Sequence, residues 1–199
     1  MRIVPRQLTG AALLVATQLV SGAVAAAAPD EAAASRVEQS RALAQRLGAE
    51  LKAELGRALQ SGGPVAAISV CRYKAPEIAG RLSQESGAIV GRTALRLRNP
   101  ANAPSDWQRE GLERFAADLA AGKAPAELES LETVSTPQGV EHRYLRAIVT
   151  EPVCVTCHGT TLAPDVAAAV AKDYPQDRAT GFEPGQLRGA FSVVWPAPR

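Results

Sequence analysis

Methionine is all but missing from this chain: among its 199 residues the only one is Met1. A mature form that loses its N-terminus has no thioether to pack with or to ligate a metal. Histidine and cysteine are nearly as scarce, at two and three. Three is an odd number, so pairing within the chain always leaves a thiol over. Aromatic residues make up 4%, and few large rings are at hand to fill a core. Charge of one sign is lacking too. Lys and Arg number 22 against 20 Asp and Glu, and Arg2 and Arg6 account for the excess. With no basic run and no net charge beyond those two, there is no electrostatic case for nucleic acid or an anionic membrane.

What is present begins with an export signal. Arg2 and Arg6 make a short positive start, Ala11 to Val20 is an apolar core, and Ala25-Ala26-Ala27 offers the small residues that signal peptidase needs. Residues 1–27 are therefore read as a signal peptide and the protein as periplasmic. The uncharged run from Gln7 to Pro29 is long enough to span a bilayer, so membrane attachment follows only if the segment is left uncleaved. About 170 residues remain, a normal size for one domain with a single core.

Two of the three cysteines and one of the two histidines stand together in Cys154-Val155-Thr156-Cys157-His158. This is the spacing of c-type haem attachment. One turn of chain places both sulfurs at the two vinyl groups on one porphyrin edge, and the next residue turns its imidazole toward the iron. One covalently attached haem c is the expected cofactor, with Cys154 and Cys157 as its thioethers and His158 as an iron ligand. Attachment happens outside the cytoplasm, in keeping with the export signal. A covalently held macrocycle also supplies the apolar bulk that the few aromatics do not.

Without Met1, the His/Met ligation of electron-carrying cytochromes c is excluded. The sixth position falls to Cys71, to His142, to a Lys or Tyr, or stays open. Cys71 also reads as an inert core thiol. His142 lies in the polar, strand-like stretch Val140 to Val149 and reads more plainly as a surface or strand-end histidine. A remote alternative gathers Cys71, Cys154, Cys157 and one His around zinc. A CxxC redox enzyme lacks the strand–motif–helix pattern such a site needs.

Residues 28–61 are predicted to be helical, with Leu43, Leu47, Leu51, Leu55 and Leu59 recurring every four positions up to Gly62-Gly63. That stripe packs within the domain or against a second copy, which makes it the candidate face of a homodimer. Pro64 suits the first position of a new helix, on which Ala67, Ile68 and Cys71 share a side. Ala75-Pro76 interrupts, and a short helix runs to Ser86-Gly87. Ala88 to Arg98 reads as a strand closed by Asn99-Pro100. Ser105 and Gln108 form a capping box for a helix bearing Trp107, Leu112, Phe115 and Leu119, ending at Gly122. Leu131 to Thr136 and Val140 to Val149 pair around Pro137-Gln138-Gly139. Pro164 opens another helix, and Leu187 to Trp195 is the last strand. An antiparallel sheet with N-terminal and inserted helices is an α+β architecture.

Beyond the haem motif, three stretches together resemble one family. They are Cys71-Arg72-Tyr73-Lys74-Ala75-Pro76-Glu77-Ile78-Ala79, Gly91-Arg92-Thr93 leading to Arg98-Asn99-Pro100-Ala101-Asn102-Ala103-Pro104, and Tyr174-Pro175 leading to Gly189-Ala190-Phe191-Ser192-Val193. Over Gly62 to Trp195 the chain resembles the exported haem c domains of PAS-like fold, long catalogued as a domain of unknown function. Bacteria use them as single exported proteins or as sensory input to signalling modules. The resemblance implies a haem c-binding PAS-like domain over residues 62–199, with His158 as the proximal ligand and Cys71 as the distal one. Arg96 and Arg98 are expected to meet the haem propionates.

A thiolate is an anionic donor that favours ferric iron, so His/Cys ligation implies a low potential. With both axial positions filled, substrate has no vacant site, which argues against an enzyme; peroxidase activity would need the distal bond to open. The expected function is low-potential redox or gas/redox sensing, with simple periplasmic electron transfer as the alternative. Either needs a redox or signalling partner that the sequence does not name.

Overall fold

Helix-forming Ala, Glu, Gln and Arg carry helix α1 from Pro29 to Ser69, the first element of a computed structural model that describes residues 29–198. The signal peptide assigned to residues 1–27 lies outside the described residues. Among those described, no helix is long and apolar enough to cross a membrane. Gly63 breaks α1 with φ of 69°, a backbone region that glycine enters without a Cβ penalty. Pro64 then restarts the helix, where its missing N–H is an orphan in any case.

The helix does not stop at Ala75-Pro76, as the sequence suggested. Val70–Lys74 forms a π-helical turn that hands over to α2 (Ala75–Ser86), with the Ala75 N–H bonded back to the Val70 carbonyl. Proline has no N–H to donate and crowds the carbonyl four residues earlier. Widening the turn before Pro76 relieves both problems, and Cys71 sits in the widened turn. Gly87, left-handed at φ 76°, closes α2.

The sheet has four antiparallel strands in the order β1-β4-β3-β2. They are β1 (Ile89–Thr93), β2 (Glu129–Thr136), β3 (Gly139–Val149) and β4 (Leu187–Trp195). Helix α3 (Asp106–Ala120) lies between β1 and β2 in sequence. The short α4 (Val155–His158) and α5 (Pro164–Asp173) lie between β3 and β4. The architecture is α+β, with N-terminal and inserted helices. β1 is shorter than the predicted Ala88 to Arg98: its pairing with β4 ends at Thr93↔Ala190. The chain leaves the sheet there because Arg98 is drawn inward to Asp177.

One face of the sheet packs Val90, Tyr144, Val193 and Trp195 against Ala44 and Leu47 of α1 and Ile78 and Leu82 of α2. The other face packs Leu145 and Ala190 against Leu112 and Phe115 of α3. α3 has its capping box, and Gln108 does double duty: Oε1 accepts from the Ser105 N–H at 2.9 Å and Nε2 donates to Ser192 Oγ at 2.8 Å. The leucine stripe of α1 faces inward. Leu47 is fully buried, Leu43 and Leu51 pack on the first core, and Leu55 and Leu59 continue the row along a cavity. The stripe therefore packs within the domain.

Alternation alone would not arrange β4 as it stands. Leu187 packs on the α3 side with Ala190, while Phe191 packs on the α1 side. Three residues apart, Leu187 and Ala190 belong on opposite faces of a regular strand. A bulge resolves the conflict: Ile148 pairs with Gly189 and Val149 with Leu187, leaving Arg188 as the extra residue. Bulges re-aim side chains in this way, and this one turns Arg188 toward the α1 side.

A cavity lined by three thiols and an imidazole

The chain encloses a cavity of about 220 Å³ between α1, the sheet and the α4 segment. Its walls are mainly apolar, with Leu51, Leu55 and Leu59 from α1 and Phe191 from β4. Gly48 makes room for that ring, since a Cβ there would come within 2.9 Å of Phe191 Cζ. Cys71, Cys154, Cys157 and His158 all line this one cavity. The fold thus brings Cys71 to the CxxCH segment across more than eighty residues of chain.

Two contacts fix that approach. Ile68, three residues before Cys71, packs in a small core with Val166, Val170 and Tyr174, against which Cys157 also rests. Arg72, next to Cys71, bonds through Nη1 to Asp173 Oδ1 at 2.9 Å and to the Asp173 carbonyl at 3.2 Å. The π-helical turn is thereby fastened to the end of α5. The three cysteines are free thiols, and burial pushes the Cys157 thiol up from its ordinary pKa.

His158 is held more rigidly. Its Nδ1–H donates to the Ala179 carbonyl at 2.6 Å, which leaves Nε2 as the ring's free lone pair. The Phe182 ring meets the imidazole edge-on, with centroids 6.2 Å apart. Burial, reinforced by the positive fields of Arg188 and Arg98, holds the imidazole pKa down at about 3. The ring is neutral, the form in which histidine binds metals. The segment around Ala179 is itself stitched to the motif, with the Gly181 N–H donating to the Gly159 carbonyl and the Phe182 N–H to that of His158.

Arg98 organises this segment. Its side chain is 7% exposed and forks onto Asp177, which is 9% exposed, through Nε–Oδ1 at 3.0 Å and Nη2–Oδ2 at 3.2 Å. The same Nη2 donates to the carbonyls of Cys157 at 2.6 Å and Ala179 at 3.2 Å. Arg96 donates to the carbonyls of Arg178 and Thr180 and stacks 4.2 Å over Phe182. Both arginines that the sequence suggested for propionates are thus committed to the protein.

Reasoning from the sequence missed two other arginines on the cavity wall, Arg92 of β1 and Arg188 of β4. Neither forms an ion pair among the described residues, and Arg188 Nε is buried without a hydrogen-bond partner. Burial, then repulsion from Arg98 and Arg92, lowers the Arg188 pKa to about 10; burial also lowers that of Arg92. His142 lies elsewhere: it pairs in register with Thr133 and Trp195, and its Nδ1 is 3.1 Å from Thr133 Oγ1. Among the described residues no cluster of three or more His, Cys, Asp and Glu is placed to hold a metal ion. The three thiols and His158 therefore do not form the tetrahedral cage of a structural zinc site.

An antiparallel sheet with helices on both faces and one apolar cavity carrying a few convergent polar groups defines an α+β ligand-binding domain. The chain belongs to the Tll0287-like family, whose model matches residues 17–196. It is similar to the crystal structure of the cyanobacterial heme-protein Tll0287, with a TM-score of 0.59 and 26% identity over 87% of this chain and 99% of that one. No curated protein matches the chain.

Proposed function

We propose that this chain is a periplasmic, mono-haem c-type cytochrome. Haem is attached through Cys154 and Cys157 and ligated by His158 and Cys71, and the protein serves low-potential redox or gas/redox sensing. One observation carries the reading: Cys71 shares an apolar cavity with the CxxCH segment. The likeness to a heme-protein at 26% identity over nearly the whole of that chain supports it.

The residues present fit the group. Two free thiols at CxxC spacing are available for thioether bonds. A neutral imidazole with its Nδ1–H already bonded offers Nε2 alone. A third thiol provides a second donor, and Arg92 and Arg188, without ion-pair partners among the described residues, provide cations that suit a group bearing carboxylates. Bound there, haem supplies a one-electron ferric/ferrous couple, whose potential axial ligands set over roughly 0.8 V.

The two sides of the site differ in how firmly they are held. His158 is fixed by Ala179, Phe182 and the Arg98–Asp177 pair. Cys71 rides on a π-helical turn, a form frequent at functional sites, and is half-buried. With haem bound, an anionic Cys71 thiolate would favour the ferric state and would be the ligand that reduction weakens. Its release would open a position for a small gas, whereas its retention suits electron transfer.

The test is the absorption spectrum of the full chain co-expressed with haem-maturation machinery, followed by exposure of the reduced protein to CO and NO. A covalent haem c with a six-coordinate, thiolate-ligated ferric spectrum is expected, with gas binding on reduction. Purified protein without covalent haem would overturn the assignment. A six-coordinate ferrous spectrum that neither gas alters would leave a carrier in place of a sensor.

A further inference from the structure

Arg92 and Arg188 line the cavity with no acidic partner among the described residues. Arg98, on the same side of the sheet, shows the contrast: its Nε and Nη2 are engaged by Asp177 and two carbonyls. Arg188 has one long hydrogen bond, Nη1 to the Arg96 carbonyl at 3.3 Å, and lies 5.3 Å from the Phe182 ring centroid, while its Nε is orphaned. The Arg92 side chain makes no hydrogen bond to the described residues.

A half-buried cation with no counter-charge is costly to hold out of water, and two that repel each other cost more. The fold nevertheless takes trouble to present them. Arg188 reaches the cavity only because β4 bulges opposite Ile148/Val149. The close approach of β1 to β4 beside it depends on Gly189, where a Cβ would stand 2.4 Å from the Thr93 carbonyl oxygen. Arg92 comes from the facing strand, in register with Phe191. Two guanidinium groups on adjacent strands at an apolar cavity call for a ligand that brings two carboxylates with a greasy body.

Haem is such a ligand. Its vinyl edge is claimed by Cys154 and Cys157, which leaves the two propionates as the charged end. We propose that Arg92 and Arg188 are the propionate-binding residues of this cavity, their guanidinium groups replacing Arg96 and Arg98 in that role. The inference rests on the haem reading. It assigns positions on two strands whose chemistry the CxxCH motif and the thiol ligand leave unexplained. Guanidinium binds carboxylate through a two-pronged fork, so Lys at either position would keep the charge and lose the geometry.

The test compares the holoprotein with Arg92→Gln, Arg188→Gln and Arg188→Lys variants by resonance Raman, electron paramagnetic resonance and potentiometry. The propionate bending modes are expected to shift in all three variants. The ferric g-values, which report the axial pair, are expected to stay put. The midpoint potential should fall in both Gln variants, where a positive charge is lost, and recover in Arg188→Lys. Unmoved propionate modes in both Gln variants would overturn the proposal, and so would altered g-values, which would make the arginines partners of the Cys71 thiolate. The crystal structure of the loaded wild-type protein gives a readout that does not depend on the variants maturing: propionates within hydrogen-bond reach of the two guanidinium groups are expected, and propionates beyond reach of both rule the assignment out. Wild-type protein that carries no haem instead removes the haem reading itself.

Discussion

The Nδ1 of His158 lies 2.6 Å from the carbonyl oxygen of Ala179, and the same carbonyl accepts a second bond from Arg98 Nη2 at 3.2 Å. The imidazole is therefore oriented by an acceptor that is itself held by a buried ion pair. Arg98→Ala removes the cation and leaves Asp177 charged and 9% exposed. Breaking one partner of a buried pair costs about 3–5 kcal/mol, and urea denaturation of the variant should show a loss of that size. Because Arg98 acts through His158, a purely structural role is separable from a positioning one. The variant's ferric electron paramagnetic resonance should broaden into more than one species, which simple destabilisation does not produce. Arg98→Lys keeps the charge but not the fork, and should recover part of the stability and little of the spectral homogeneity.

On the proposed ligation, Cys71→Ala isolates the distal side. The Cys71 thiol has no hydrogen-bond partner among the described residues, so the truncation orphans no polar group, and the fold should survive. The ferric spectrum should change from a thiolate-ligated to a high-spin or water-ligated form, and the potential should rise because an anionic donor is gone. His142→Ala is the control. With its ring beside Thr133 on the β2–β3 hairpin, its loss should leave spectrum and potential unchanged. Identical ferric spectra for wild type and Cys71→Ala would remove Cys71 from the ligand set.

Local chemistry made much of this fold legible in the sequence. The break at Gly63-Pro64, the Ser105–Gln108 box, the hairpin at Pro137-Gln138 and the full extent of β4 each follow from residue types within a few positions. The CxxCH segment is legible for the same reason, since its chemistry is contained in five consecutive residues. What could not be read depends on contacts between distant segments. Ala94 to Arg98 has a strand-like composition, but Arg98 leaves the sheet to reach Asp177, almost eighty residues away. Arg96 and Arg98 appeared available to an anion because their protein acceptors come from another part of the chain. Arg188 was overlooked because its direction is set by a one-residue bulge, and a bulge changes the face of a side chain without any mark in the alternation pattern. The pattern Arg188-Gly189 is the one signal that could have marked it, since glycine inside a strand indicates a bulge or a close backbone approach.

Acid sensitivity should originate at Glu129. The Arg41 guanidinium, first by hydrogen bonding and then by charge, holds this carboxyl below its ordinary pKa, with help from the Tyr144 hydroxyl at 2.6 Å and from Arg146. Together these contacts tie α1 to β2 and β3. A depressed carboxylate contributes stability above its unfolded pKa and loses it as pH falls through the folded one. Wild-type stability should therefore drop on acidification below the normal carboxylate range. Glu129→Gln should be less stable at neutral pH and should show a flatter decline. Denaturation midpoints at roughly pH 3 to 7 check this, and parallel slopes for the two proteins would assign the acid sensitivity to another group.

Ser40 and Trp195 clamp the first helix to the last strand. The indole Nε1–H donates to Ser40 Oγ at 2.9 Å; Ser40 is fully buried and Trp195 nearly so. Arg36 covers the outer face of the ring at 4.2 Å. Ser40→Ala leaves the indole donor without an acceptor in a dry setting, which costs about 1–3 kcal/mol. Trp195→Phe removes donor and acceptor demand together on the ring side, so Ser40→Ala/Trp195→Phe should be less destabilised than the sum of the single changes. Because the clamp stands on the core beside Ala44 and Leu47, remote from the thiols, none of these variants should alter the ferric spectrum.

The aromatic shortage gives the last expectation. The core facing α1 and α2 rests on Tyr144, Trp195 and aliphatic side chains, and beyond it the leucines of α1 continue along a cavity of about 220 Å³. An apolar cavity of that size weakens a core in proportion to its volume, and here it runs between α1, the sheet and the α4–α5 segment. Covalent haem would join the α4 segment, through Cys154, Cys157 and His158, to the turn that follows α1, through Cys71, and would fill the space between them and the sheet. A Cys154→Ala/Cys157→Ala chain should therefore lose native near-ultraviolet circular dichroism and melt without cooperativity, while keeping much of its helical far-ultraviolet signal. The region from Leu55 to Gly63 should lose amide protection first, because its leucines face the cavity. The α3 face, with Leu112 and Phe115 packed on Leu145, should exchange last. A cooperative melt with intact near-ultraviolet signal would mean that the polypeptide closes its core unaided, and that haem adds function without adding structure.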